Sequence, residues 1–552
     1  MSHARTHSLE VWAFAALLIF VVLFWRLGAP TLWDPDEAHY AETSREMLAS
    51  GDWLAPTYNG QPFFDKPFLF HVFQVAAMRV AGPHELAVRL VPALAALALI
   101  ATTAWLGFAL ASADVGIVAG LLLAASPGVF ALARYAILDS LFTAFEFGGV
   151  ALLAVAALRG GGWLQYPGYV LIALATLTKG PLAIVMCGLT FLIATAVSAD
   201  ARKRLLALRW RTGFLLVVVL AAPWFIYMYE RFGRAFVDGY LLDENVRLFA
   251  ASRFANQPAP WFYFQVLVTG LLPWTGLLVG RLIDDARAVW RRERLDTFEV
   301  LLWTWTLAVV GFFTLSTFRL DHYVFPAAPA LCLLCSRAWS DVRTNGLHPR
   351  NAGARIGLHL VGPLLVVLGL GGGLFLLARL ELPRAAVAVP IAVTLAGVAL
   401  TAIVNLRGAR PLRVPWIGLS AMLVTYVGII VFVMPTLESR KVVPEIAAWV
   451  GSHASASDRI AVYRLNRWTN VFRFYVDRPT VHLESPEQAR QFFAAPSPFY
   501  CAMLERTYEE FVAEGVPLRI VRERDGMWAT SGRALWRRRI PPARFVIVAR
   551  AQ

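Results

Sequence analysis

Apolar positions in this chain form long unbroken runs separated by short charged segments. Runs near 9–28, 86–110, 113–127, 135–158, 164–179, 181–199, 211–229, 263–282, 298–316, 322–339, 356–378, 384–405 and 413–434 approach or exceed the roughly 18 apolar residues that mark a membrane-crossing helix. They predict a polytopic α-helical membrane protein with about thirteen transmembrane helices. From residue 436 the pattern changes. Charges rise, and short apolar runs such as "RIAVYRL", "TVHL", "FYCAML" and "RFVIVAR" alternate with helix-like stretches. The chain therefore divides into a transmembrane domain, 1–435, whose first outer loop is 29–85, and a small soluble α/β domain, 436–552. The first apolar run is long, and no small-x-small cleavage site precedes the acids that follow it, so it is expected to stay as a helix rather than leave as a signal peptide.

Of 552 residues, 58% are hydrophobic and 16% charged, against about 25% charged in soluble proteins. A formal net charge of +14 invites a nucleic-acid reading, but the positions of the charges decide otherwise. Basic residues gather in alternate loops: Arg202, Lys203, Arg204, Arg209 and Arg211; Arg281, Arg287, Arg291, Arg292 and Arg294; Arg337, Arg343, Arg350 and Arg355; Arg407, Arg410 and Arg413. Loops of this kind face the cytoplasm. That predicts a cytoplasmic N-terminus, an outer C-terminal domain and no nucleic-acid partner. Four cysteines make no disulfide framework, and the Cys332–Cys335 pair inside "PAAPALCLLCSRAW" reads as buried helix cysteines.

The polar groups left over sit on the outer side. "LWDPDEAHYAE", 32–42, places Asp34, Asp36, Glu37 and Glu42 beside His39 and Tyr40, next to an apolar run. Acids there are costly unless water, a cation or a substrate meets them. "EAHYAETSREML" reads as an amphipathic helix lying on the membrane surface, and "FFDKPFLFH" carries an Asp65–Lys66 pair among aromatic rings. Asp139, Thr143 and Glu146 share one helical face by their i, i+4, i+7 spacing, with Glu146 about 10 Å deeper than Asp139. Lys179 in "LTKGP", Arg247 in "LLDENVRLF", and Arg319 and Tyr323 in "STFRLDHYVFP" fall in outer segments. Cations at this depth suit phosphate. Carboxylates suit sugar hydroxyls, an amine, a metal or proton abstraction. A lipid phosphate bearing a sugar satisfies both sets.

These motifs come in the order seen in one superfamily. With "SGDWLAPTYNGQPFFDKP", "LDSLFTAF", "ENVRLF" and "PWFYFQVLVTGLLPW", the chain resembles the bacterial aminoarabinose (4-amino-4-deoxy-L-arabinose) lipid A transferases and the dolichyl-phosphate-mannose protein mannosyltransferases over roughly residues 10–435. The resemblance implies an integral-membrane glycosyltransferase of the C-type fold. Such an enzyme takes a sugar from an undecaprenyl-phosphate-linked donor and passes it, with inversion, to an acceptor outside the bacterial inner membrane. The acceptor implied is lipid A, with a protein or another glycan as the alternative. The resemblance makes Asp36, Glu37 and Asp139 candidate catalytic residues. Lys66, Arg247, Tyr323, Lys179 and Arg319 are candidate ligands of the lipid phosphate, and Asp65, Tyr40 and Glu146 candidates for positioning the substrate. The family's usual Glu-Lys-Pro is Asp-Lys-Pro here, at Asp65, Lys66 and Pro67.

Each of these residues also has an ordinary reading. Asp36 and Glu37 fit a helix N-terminus, Lys66 and Arg247 fit interfacial anchors, and Glu146 fits a structural or access-path role. Asp34, His39, His71 and His84 lack strict metal-ligand spacing, so no metal site or cofactor is assigned, and a divalent cation stays an open option. A transporter or flippase is the rival of another class, since intramembrane Asp139 and Glu146 would suit a proton path. No repeated halves are visible, and the polar groups gather at one face rather than at the midplane.

Overall fold

The computed structural model describes residues 2–551 except 161, 251–256, 346–350, 407–412, 466–467 and 529–541. Arg350, Arg407 and Arg410 of the basic loops, and part of the 230–262 loop, lie outside the described residues. The N-terminal half runs α1 (Ser2–Leu23), α2 (Asp36–Ser50), a hairpin of β1 (Thr57–Tyr58) and β2 (Gln61–Pro62), α3 (Leu69–Ala81), α4 (Glu85–Leu110), α5 (Ala113–Ala124), α6 (Pro127–Ala133), α7 (Asp139–Arg159), α8 (Gln165–Lys179) and α9 (Leu182–Val197). Among the described residues, seven helices are long and apolar enough to cross a membrane, and nine if each of two bent pairs counts as one span. The expected count of about thirteen is not reached by this measure. With 15 and 16 residues, α8 and α9 fall short of the roughly 20 needed at 1.5 Å per residue.

Two expected spans are broken. The third bends by 60° between α5 and α6, and the eighth bends by 117° between Phe262–Gly270 and Thr275–Trp290. Pro273 lies in the second break and Pro127 opens α6; a proline cannot donate its backbone bond inside a helix. The expected helix 322–339 begins as a tight turn, Asp321–Ala327, before Ala328–Asn345.

The bundle has two chemically distinct ends. At one end, Arg209 N–H donates to the Gln165 side chain at the start of α8, Arg204 reaches the Leu158 carbonyl at the end of α7, and Arg337 and Arg343 pair with Asp296 and Asp114. These are the basic loops singled out by sequence. The opposite end holds the start of α7, the end of α8 and the 316–323 segment. Close packing makes the arrangement sharp. A Cβ at Gly149 of α7 would fall 2.9 Å from the Gly168 carbonyl of α8. Only small residues let two helices approach so closely.

The first loop is not a surface-lying helix. α2 buries polar as well as apolar residues: Glu37, Ala38, Ala41, Glu42, Thr43, Ser44 and Met47. It is covered on one side by α3, where Ser44 Oγ meets His71 Nδ1 at 2.9 Å and donates to Gln74 at 2.7 Å. The C-terminal domain covers its other side. That domain is α/β, as predicted, with a five-stranded sheet in the order β4–β3–β5–β7–β6: β3 Arg459–Tyr463, β4 Val481–Leu483, β5 Phe499–Leu504, β6 Leu518–Met527 and β7 Pro542–Arg550. β3 pairs in parallel with β4 and β5, and β7 is antiparallel to β5 and β6. Its core continues into the first loop: Leu32, Ala38 and Ala41 pack in the same cluster as Val443, Trp468, Val471 and Phe472.

Candidate active site

Asp139 opens α7 and Lys179 closes α8. Helix dipoles favour an acid at the first position and a cation at the last, and the antiparallel packing of the two helices places both at the same end. Lys179 Nζ donates to Asp139 Oδ1 at 2.5 Å, with only 8% and 5% of the two side chains exposed. A buried pair of this kind is stable only with close geometry and further polar partners. Those partners come from the 321–327 turn. His322 Nε2 lies 3.8 Å from Asp139 Oδ2, and Lys179 Nζ sits 4.9 Å from the centre of the Tyr323 ring. Gly180, at φ +98°, turns the chain immediately after Lys179, a conformation glycine adopts without strain.

The first loop closes over this pair. Tyr40 lies within electrostatic reach of Asp36, Asp65, Asp139 and Tyr323 together, and Lys66 acts on Asp139 in the same way. Burial, reinforced by the surrounding acids, pushes the Tyr40 phenol well above its ordinary range. Tyr40 therefore keeps its proton at neutral pH. Burial likewise lowers His39, against the pull of Asp65 and Asp36. Lys66 Nζ donates to the Asp65 backbone carbonyl at 2.8 Å and to Glu244 Oε2 at 3.3 Å. The lysine expected at the lipid phosphate thus takes the Asp65 carbonyl and a carboxylate from the 237–247 helix.

Asp139, Lys179 and Tyr323 are in direct contact, and Asp36, Tyr40, Asp65 and Lys66 lie within electrostatic reach of them. The other four candidates are placed differently. Glu37 is fully buried and turned away. Its carboxylate takes a two-pronged bond from Arg89 at 2.6 and 2.8 Å and accepts the amides of Trp33 and Ala136, both at 2.9 Å. With four hydrogen bonds so made, Glu37 ties the first loop to the bundle. Arg247 is largely exposed and pairs with Asp243 at 2.5 Å. Arg319 donates through its two Nη groups to the carbonyls of Pro258 and Thr314, and its buried Nε has no hydrogen-bond partner among the described residues. Glu146 lies deeper on the Asp139 face, fully buried, and neither carboxylate oxygen has a hydrogen-bond partner among the described residues. His322 and Glu244 join the cluster although sequence reasoning gave them no role. Their signals were in plain view in "LDHY" and "LLDENVR", but neither spacing shows which neighbour they meet.

The residues considered as metal ligands are dispersed. Asp34 accepts the Val471 amide, His71 meets Ser44, and His84 meets the Ala81 carbonyl. Among the described residues, no three His, Cys, Asp or Glu side chains converge on one point.

The family model for dolichyl-phosphate-mannose-protein mannosyltransferase matches residues 13–234. The undecaprenyl phosphate-α-4-amino-4-deoxy-L-arabinose arabinosyl transferase 1 of Sodalis glossinidius is 30% identical over 389 residues, 67% of each chain. The chain belongs to this aminoarabinose transferase family. It is a multi-pass membrane glycosyltransferase by that membership. A transferase of the same name from Aeromonas hydrophila is 27% identical over 344 residues, and the match spans 61% of that relative's length. In fold, the chain is similar to ArnT from Cupriavidus metallidurans bound to undecaprenyl phosphate, with a TM-score of 0.75 at 22% identity over 99% of this chain and 98% of the other. The similarity to that transferase extends across the C-terminal domain, which sequence motifs alone did not reach.

In this transferase the C-terminal domain is tied to the first loop by Glu46 of α2. Its carboxylate accepts Arg473 at 2.8 Å, Thr57 Oγ1 at 2.9 Å, and the amides of Asn59 at 2.7 Å and Gly60 at 3.1 Å. Burial alone would raise its pKa; Arg473, the Gly60 amide and the Thr57 hydroxyl overcome that and hold it below the ordinary 4.5. A depressed carboxylate contributes stability above its unfolded pKa and loses it as pH falls through the folded one. Hydrogen exchange across β1 and β2 is therefore expected to accelerate as pH drops below 4.5, after correction for intrinsic rates. Glu46→Gln should show the faster exchange already at neutral pH and little further change in acid. A wild-type profile flat from pH 7 to 3 would contradict the assignment.

Proposed function

We propose that this chain transfers 4-amino-4-deoxy-L-arabinose from an undecaprenyl-phosphate-linked donor to a phosphate of lipid A, with inversion, at the periplasmic face of the bacterial inner membrane. The N-terminus and basic loops lie in the cytoplasm, and residues 436–552 lie in the periplasm. The observation that carries this reading is the buried Lys179–Asp139 pair against Tyr323, with Asp36, Tyr40 and Lys66 within electrostatic reach, at the bundle end opposite the basic loops. The relatives' names supply the donor class, and membership of the family supports the reaction class.

An oxygen of the acceptor phosphate attacks the anomeric carbon. The bond from that carbon to the carrier phosphate breaks, and undecaprenyl phosphate leaves with the electron pair. A phosphate leaving group and a phosphate nucleophile need little proton transfer, so catalysis rests on placement and on balancing charge. Lys66 holds the carrier phosphate, exchanging Glu244 for it, with the Tyr323 hydroxyl beside it. Tyr40 donates a hydrogen bond to the sugar, and Asp36 orients sugar and acceptor. The Lys179–Asp139 pair keeps the floor of the site fixed. Carboxylates of Asp36, Asp65, Asp139 and Glu244 outnumber the lysines in the cluster, and this excess suits a donor that carries a cationic amine with its phosphate.

Mass spectrometry of envelope lipids from cells with and without the chain tests the proposal. The expected result is a pentosamine increment on lipid A that depends on the chain. A hexose on protein, with lipid A unchanged, would replace this acceptor and sugar. Movement of a lipid-linked sugar across proteoliposomes with no covalent transfer would favour a flippase instead.

A further inference from the structure

One short helix of the C-terminal domain, Thr469–Val476, is laid along α2, beside the contacts that Glu438 and Lys441 make with Thr31. It grips α2 at both ends. Before the helix begins, the Leu32 amide donates to Tyr475 Oη at 2.8 Å, the Val471 amide donates to Asp34 Oδ2 at 2.7 Å, and Asn470 Nδ2 donates to the Pro35 carbonyl at 3.2 Å. Further along, Arg473 lies between two carboxylates: its Nε is 3.0 Å from Glu42 and its Nη2 2.8 Å from Glu46. Arg473 has only 6% of its side chain exposed, and Glu42 none. Glu42 also takes Arg45, which in turn pairs with Asp477 of the outer domain.

Such burial is expensive for a loop that merely carries an appendage. Glu42 keeps Arg45 of its own helix and Glu46 keeps Thr57, Asn59 and Gly60 of the same loop, so Arg473 is the added cation that ties both acids, and with them α2, to the C-terminal domain. The two sides of α2 explain the consequence. Asp36 and Tyr40, four residues apart, share the side that meets the Asp139 cluster. Ala38 and Glu42, also four apart, share the side that meets the outer domain. Rotation or withdrawal of α2 would move both reacting-side residues together.

We propose that Arg473 is a positioning residue for sugar transfer, acting through Glu42 and Glu46 to hold α2 so that Asp36 and Tyr40 face the Lys179–Asp139 pair; this rests on the function proposed above. The outer domain is then a wall of the active site.

The test uses the purified full-length chain in lipid nanodiscs. Arg473→Met should speed amide exchange across residues 36–50 by about tenfold or more, while the strands β3, β5 and β7 keep wild-type exchange. In the transfer assay the same variant should lower kcat by about 10- to 100-fold, with KM for the lipid donor within about twofold of wild type. Arg473→Lys should recover part of both losses, and Arg490→Ala, on the exposed Glu514 pair, should change neither. Unchanged exchange over 36–50 in Arg473→Met would overturn the proposal. So would faster exchange with undiminished kcat. The exchange reading does not depend on the sugar or acceptor, so a wild-type chain that transfers no aminoarabinose refutes the proposed function and leaves the positioning claim to be judged by exchange.

Discussion

Lys66→Ala is expected to lower kcat/KM for sugar transfer by about 10²- to 10³-fold, the usual cost of removing one preorganised charge from a developing anion. The ammonium sits in the first loop just before α3, within electrostatic reach of His39 and Asp139, with about a fifth of its side chain exposed. Its partner Glu244 is carried by a different segment, so the pair can open without unfolding the bundle. Removing Lys66 leaves the acids of the cluster facing the carrier phosphate with less to balance them. Lys66→Arg restores the charge but not the point geometry of an ammonium, and should recover only part of the rate. Asp36→Asn, measured beside them, should cost less, about tenfold, because it removes an orienting contact rather than the main counter-charge. Steady-state transfer with equal amounts of folded protein decides the matter. Lys66→Ala activity within threefold of wild type would remove Lys66 from the phosphate site.

Glu37→Ala should fail for a different reason. It strands Arg89, which has 3% of its side chain exposed, and removes the acceptor of the Trp33 and Ala136 amides. Breaking a buried ion pair by deleting one partner costs about 3–5 kcal/mol, a large share of the roughly 5–15 kcal/mol that holds a typical domain together. Arg89 keeps the carbonyls of Leu27, Pro30 and Thr31, so the guanidinium is not abandoned altogether. Those carbonyls do not neutralise it. The variant is expected to accumulate poorly and to melt well below wild type in detergent. Glu37→Gln, which keeps the shape and loses the charge, should fall between. A Glu37→Ala chain melting within about 2 °C of wild type would mean that the strut is dispensable. Lost transfer at unchanged stability would instead return Glu37 to the chemistry.

The contrast between Asp36 and Glu37 shows where sequence reasoning stops. Adjacent acids on one helix point about 100° apart, so one reaches the cluster and the other is turned into the protein. Residues 32–42 announce that acids sit beside a membrane, but not which of them meets water. Arg89 lies 52 positions from Glu37, and nothing local marks it as a partner. Lys66 and Glu244 are 178 positions apart. The Asp139–Lys179 pair was more accessible to inference, because both residues stand at junctions of apolar runs on the same side.

What the sequence determined by itself is whatever short-range physics can write. Length and apolarity of the runs make a membrane bundle, clustered arginines mark one end of it, and the acids and lysines left over mark the other. Motif order was enough to indicate the superfamily. The tertiary structure alone decided which charges neutralise one another, that α2 is held between α3 and the C-terminal domain, and that Arg473 reaches across 427 positions to Glu46. Ion pairs are chosen by distance in space, and burial raises the cost of each unpaired charge. Neither quantity exists until the helices have packed.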